Sequence, residues 1–312
     1  MTDMRDAFFN QLYNYISVDK DVIILTADHG AFGLKRIEED YPKQYLNVGI
    51  SEQALISVAA GLAKCGKKVY VYAINNFVSL RVLEQINVDV CAMNLDVNII
   101  GVGSGFTYST DGPTHHGVQD LSAMLNLPNL EVYNVTDDLN TKKMVDLSYD
   151  KKGPKYFRIE KGTVPRVYVE EDKIEDGFKT IIKKESDVLV ISTGFVTHAS
   201  MTVISRLNDE GHCISHCDLY RLSPLPEEAI LSATKGKRVV TIEENLKSGG
   251  MGEKLFSLLK ENNHQQQVMN ISPKDGFYFN FGDRKLLHEV AKIDKNSLYE
   301  KIKEFINLCE RK

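Results

Sequence analysis

Six consecutive residues concentrate the chemistry of this chain: Asp111-Gly112-Pro113-Thr114-His115-His116. Glycine and proline fix a tight backbone path. An acid and an imidazole four positions apart in such a turn can reach one ligand. The acid accepts a hydrogen bond from a hydroxyl, and the imidazole donates to a carbonyl or moves a proton. A polar surface loop accounts for the spacing equally well without any chemistry. Glu52, in Asn47-Val48-Gly49-Ile50-Ser51-Glu52-Gln53, opens a helix-length segment. Taken alone it reads as a glutamate favoured by the helix dipole, with Ser51 near the cap. Asp28 ends the first apolar run, where open α/β sheets gather ligand-binding groups. A turn or capping aspartate is the alternative there.

Short β-branched runs alternate with helical stretches and must position these side chains. Strands are expected over residues 21–27, 45–49, 68–73, 97–102, 130–135 and 156–159, and helices over 52–64, 78–91 and 139–149. Residues 161–185 are charged, contain a proline and have weak periodicity. They read as a linker with an edge hairpin. A second alternation follows, with strands at 187–192, 212–219, 238–243 and 268–271. Its helices fall at 197–210, 226–233 and 252–261, and two more end the chain. Gly211 would stop the first of these helices and Pro226 would start the next. The fold class is therefore α/β, with two domains of mainly parallel sheet flanked by helices, at 1–165 and 186–312 around a linker at 166–185.

The 312 residues, 43% of them apolar, suffice for two cores. A net charge of -5 without a dense basic block gives no sign of nucleic acid or of an anionic membrane surface. No apolar run approaches the roughly 20 residues of a membrane span. Five scattered cysteines argue against a disulfide framework and for a reducing cytoplasm. His212-Cys213-Ile214-Ser215-His216-Cys217 contains metal-ligand types. It reads as a strand, however, in which His212 and Cys213 face opposite sides.

The Asp-Gly-Pro-Thr-His-His segment resembles the transketolase signature Asp-Gly-Pro-Thr-His-Gln and a related segment of deoxyxylulose-phosphate synthases. The segment ending in Glu52 resembles the stretch that carries the catalytic glutamate of the same superfamily. The run Tyr-Ala-Ile-Asn-Asn-Phe from Tyr72 resembles split, two-gene transketolases in particular. Glu243-Glu244-Asn245 and Gly249-Gly250-Met251-Gly252 resemble the family's carboxy-terminal domain. The resemblance covers nearly the whole chain. It implies thiamine diphosphate, which reacts at C2 once its own 4′-amino group acts as base, and a carboxylate beside N1′ drives that step. The matching carboxylate is Glu52. Phe77 matches an aromatic wall for the pyrimidine, followed by Leu80 and Leu83 where the family has further aromatics. Asp28 matches an aspartate near cofactor and donor, with His29 beside it as a second substrate candidate or a solvated loop histidine. Asp111 and His115 match donor-contacting groups, His115 with a catalytic role. Arg158, or Lys161 under the synthase-like alignment, and Arg5 match phosphate-binding cations.

Three departures stand out. The family's phosphate-contacting histidine, eight residues before Asp111, is here Gly103. Its serine after Ala-Asp is not evident in His29-Gly30-Ala31-Phe32, and its glutamine after the motif histidine is His116. These departures suggest an unusual acceptor: a modified, branched or nucleotide-linked sugar. The family's Gly-Asp-Gly signature for Mg²⁺ and diphosphate is also absent. The resemblance therefore implies a partner subunit of about 250–300 residues that brings the metal ligands, in an α2β2 heterotetramer. Competing readings are a deoxyxylulose-phosphate-synthase-like carboligase, a 2-oxo-acid dehydrogenase beta chain and a non-catalytic pseudo-subunit.

Overall fold

The computed structural model describes residues 1–28 and 30–307. The first sheet contains β1 (Val22–Thr26), β2 (Tyr45–Asn47), β3 (Lys68–Ile74), β4 (Val97–Val102), β5 (Glu131–Asn134) and β6 (Lys155–Ile159), all mutually parallel. The second contains β7 (Phe178–Ile182), β8 (Val188–Ser192), β9 (Ile214–Leu219), β11 (Arg238–Ile242) and β12 (Val268–Ile271), in the order β12-β11-β8-β9-β7. The two α/β domains match the expected class.

Both faces of the first sheet are covered, which is why its strands read as nearly continuous apolar runs. Register sets Ile24 opposite Tyr70 and Leu25 opposite Val71. Ile24, Tyr70, Tyr72 and Ile100 pack under Phe8, Phe9 and Leu12 of the helix Met4–Val18 and Met144 of the helix Asp138–Asp150. Leu25, Val71 and Ile99 point the other way, onto Leu55, Ile56 and Ala59 of the helix Glu52–Lys64. That second layer runs on without a break to Leu189 and Ile191 of β8. A third core joins Val188 and Val190 to Ile204 and Ile302. Because the strands are parallel, the loops bearing Asp28, Phe77 and residues 103–116 all leave one edge of the sheet.

Three local expectations need correction. Residues 78–91 do not form one helix. Two 3₁₀ turns, Asn75–Phe77 and Leu80–Val82, lead through a single α-turn into a π-helical segment, Ile86–Cys91. Val78, Val82, Ile86 and Val90 are all buried, and β-branched crowding at that spacing weakens a regular helix. The Ser79 hydroxyl also bonds the Asn75 carbonyl at 2.7 Å, a local competitor of helical pairing. No hairpin forms in residues 161–185. Phe178–Ile182 is a lone edge strand, antiparallel to β9. Finally β10 (Arg221–Ser223), in the expected second domain, pairs antiparallel with β5 and so extends the first sheet to seven strands.

No described helix is long and apolar enough to cross a membrane. Among the described residues no cluster of metal-ligating side chains occurs. His216 is buried and hydrogen-bonded to the Ser192 hydroxyl at 2.7 Å, as a strand residue would be.

Candidate active site

Glu52 is the first residue of its helix, and its side chain is buried. Gly49, at φ +74°, turns the chain off β2, a conformation glycine adopts without steric cost. The Ser51 side chain makes no capping bond. Asp28 sits just past β1 at φ +63°, its N–H donating to Asn47 Oδ1 at 3.2 Å. Aspartate is among the few side chains that tolerate this region. Phe77 closes the first 3₁₀ turn after β3. Asp28, Glu52 and Phe77 line one cavity of about 160 Å³ with Ile50, Ala73 and Ile74. Three residues widely separated in sequence therefore meet at the carboxyl edge of β1 and β3.

His115 adjoins this group through Phe77. Its ring meets Phe77 edge-on at 5.1 Å and Tyr108 at 6.2 Å. Asp111 is exposed, at the end of a 3₁₀ turn in the same loop. The loop is held from below. Asn76 Nδ2 donates to the carbonyls of Thr114 and His116, each at 3.0 Å. Gly105 and Gly117 exchange backbone bonds at 2.7 and 2.8 Å. His116 is buried, and its Nε2 donates to the Ser109 carbonyl at 3.1 Å. Burial pushes the His116 imidazole below its usual pKa.

The second domain reaches into the same loop. Glu244 accepts from the Phe106 N–H at 2.9 Å and from His288 at 2.6 Å. Arg284 bonds Glu244 and both oxygens of Glu160, while Ser104 and Thr107 also donate to Glu160. Burial alone would raise Glu244, but Arg284 and His288 hold its carboxyl well below the usual range.

The expected phosphate cations have different fates. Arg158 is fully interior: its Nε donates to Asp120 at 2.9 Å, and its Nη2 bonds the carbonyls of Gly117 and Glu244. An arginine so enclosed presents no solvent-facing guanidinium to a phosphate. Arg5 is bound to its neighbour Asp3 at 2.9 and 3.1 Å. The Lys161 ammonium lies 5.4 Å from the centre of the Tyr108 ring. Leu80 is 37% exposed and does not line the cavity of Glu52 and Phe77. His29 lies outside the described residues. Gly103, at φ +93°, is required because a side chain there would run into the Tyr108 ring.

Two residues at the site escaped the sequence reading. Tyr108 fills the space beside Gly103. Arg81 donates from Nη1 to Glu52 Oε2 at 2.8 Å, and its guanidinium carbon lies 3.9 Å over the Phe77 ring. A cation four positions beyond an aromatic was the available signal for Arg81, but an expected regular helix gave no reason to aim it at Glu52.

Comparison with known proteins gives the family. The description "Transketolase, pyrimidine binding domain" matches residues 1–166, and "Transketolase, C-terminal domain" matches residues 179–298. The chain is 28% identical to one of the subunits of the apulose-4-phosphate transketolase of Phocaeicola vulgatus, over 98% of each chain. It is 30% identical to the 6-deoxy-6-sulfo-D-fructose transketolase subunit SqwH of a Clostridium species, over 83% of this chain and 81% of that protein. A solved structure described as a split gene transketolase, inactive beta4 tetramer, superimposes with a TM-score of 0.88 at 25% identity, covering 97% of this chain and 98% of that one. The chain thus belongs to the transketolase family, in the carboxy-terminal section that split transketolases carry as a beta-type subunit.

Proposed function

We propose that this chain is one half of a thiamine-diphosphate-dependent transketolase, which transfers a two-carbon ketol unit between sugars and acts only with an amino-terminal partner subunit. The observation that carries the reading is the shared cavity of Glu52, Asp28 and Phe77, with His115 against the Phe77 ring. The residues present fit an aminopyrimidine: a buried carboxylate for a ring nitrogen, and an aromatic face for the ring plane. When bound, the cofactor supplies the nucleophilic carbon that carries the two-carbon unit. Glu52 would hold the proton at the pyrimidine nitrogen. Phe77 would fix the ring plane, and Asp28 would border the cofactor and donor. Asp111 would accept a hydrogen bond from a donor hydroxyl. His115 would orient the donor carbonyl or move a proton.

On this reading residues 1–165 grip the pyrimidine, 166–185 connect, and 186–312 brace the Asp111–His115 loop. The Mg²⁺ ligands would come from the partner, in a two-fold α2β2 assembly. The acceptor would be an unusual sugar, modified, branched or nucleotide-linked. Two facts support that. Tyr108 closes the space where a side chain at position 103 would reach, and the two relatives are named for apulose 4-phosphate and a sulfo-sugar. Arg5 and Lys161, both near Tyr108, are the cations left for an anionic acceptor.

The test is ketol transfer by the purified complex with the product of a neighbouring frame that encodes Gly-Asp-Gly. Glu52→Gln should lower kcat by at least about a hundredfold, and unchanged turnover would instead favour a scaffold. Efficient turnover of ribose 5-phosphate would remove the unusual acceptor. Consumption of pyruvate with release of CO₂ in place of ketose would turn the assignment toward a synthase-like carboligase.

A further inference from the structure

Arg81 makes two contacts at once, and they are the two a cofactor ring would need. Its Nη1 donates to Glu52 Oε2 at 2.8 Å, and its guanidinium carbon lies 3.9 Å from the centre of the Phe77 ring. A guanidinium is planar, delocalised and always charged, and it stacks on aromatic faces. An aminopyrimidine protonated on its ring nitrogen is likewise planar and cationic, with an N–H that donates to a carboxylate. The two groups would compete for the same carboxylate and the same aromatic ring.

We infer that Arg81 is a placeholder for the pyrimidine: it pairs the buried Glu52 and covers Phe77, and it swings aside when the cofactor ring enters. This rests on the proposed thiamine-diphosphate site. The physical need is plain. Glu52 is only 4% exposed, and a buried carboxylate without a partner is costly. The Arg81 side chain is 43% exposed, so its long stem has an open side toward which to retreat. It stems from the 3₁₀ turn Leu80–Val82, which with the π-helical Ile86–Cys91 interrupts residues 78–91. The irregular segment carries one cation to Glu52.

A competitor inside the protein lowers apparent affinity by the fraction of molecules in which it is seated. Arg81→Met keeps the stem and removes the charge, so thiamine diphosphate should bind the two-subunit complex about fivefold more tightly in this variant, in line with a modest, half-exposed ion pair. Arg81→Lys, which keeps a charge but loses the planar fork, should fall between. Titration calorimetry with thiamine diphosphate and Mg²⁺ reads the affinity directly, independently of turnover. Glu52→Gln in the same titration is the control for the site itself. Tighter binding by Arg81→Met with weaker binding by Glu52→Gln supports the placeholder. Equal or weaker binding by Arg81→Met, while the wild-type complex binds and Glu52→Gln does not, overturns it and leaves the cofactor site standing. No binding by the wild-type complex, or no effect of Glu52→Gln, overturns the cofactor site and the placeholder with it.

Discussion

Arg158 and Arg81 exchange the places that sequence alone would give them. Arg158 follows strand residues and looks free to hold a phosphate. It is instead locked against Asp120, whose Oδ2 also accepts from Asn75 at 3.0 Å and Tyr156 at 2.9 Å. A positive charge this deep depends on its counter-ion, because removing one member of a buried pair strands the other. Asp120→Asn should therefore destabilise the chain by about 3–5 kcal/mol, seen as a lower urea midpoint at unchanged slope. A loss under about 1 kcal/mol would mean that water reaches the Arg158 guanidinium. Sequence exposed Glu52 and Asp28 because each ends or begins a periodic element, and Phe77 through the resemblance to the family's aromatic wall. It could not tell a solvent-facing arginine from a buried one, since the partner acid lies 38 residues away. Nor could it locate Arg81, whose aim depends on two breaks in an expected helix.

Strand limits were legible to within about two residues over most of the chain, because parallel strands buried on both faces leave long apolar runs. The segment 78–91 was not, since its apolar positions at four-residue spacing fit a regular helix and the 3₁₀-to-π path alike. The loop from residue 103 to 116 was legible as functional but not as supported. Its geometry hangs on Gly105, at φ +57°, where a Cβ would run into the Glu244 carboxylate. Gly105→Ala combines left-handed strain with a clash against a side chain fixed by Arg284 and His288. It should cost about 2 kcal/mol or more of stability. It should also lower activity of the complex at least about tenfold, by shifting His115 relative to Phe77. Thermal unfolding and steady-state turnover read the two effects separately. If stability falls but the remaining folded enzyme turns over at the wild-type rate, Glu244 braces the fold and not the loop geometry.

At the scale of the whole molecule the two domains are knotted together by buried acids, and this junction has a pH signature. Asp218, at the end of β9, accepts from Thr136 of the first domain at 2.6 Å, from Tyr168 of the connecting stretch at 2.7 Å and from Thr197 of the second domain at 3.1 Å. Burial pushes its carboxyl up to about 6, from an ordinary 3.8, against the lowering effect of those hydroxyls. An acid whose pKa rises on folding favours the folded state below its unfolded value, and that advantage is lost as pH climbs through the folded value. The window is thus from about pH 4 to about pH 6, and the shift corresponds to on the order of 3 kcal/mol. Glu243, raised by burial to about 7, adds the same slope at somewhat higher pH. His216, lowered by burial to about 3, pushes the opposite way, because it must stay neutral to remain inside. The wild-type profile therefore mixes opposed trends, and only a difference isolates the junction. Asp218→Asn keeps the shape and cannot ionise. Relative to wild type it should gain about 2 kcal/mol as pH rises from 4 to 6.5, measured by urea unfolding at each pH. A constant offset across that range would mean that Asp218 is already ionised at pH 4, with its three hydroxyl donors outweighing its burial.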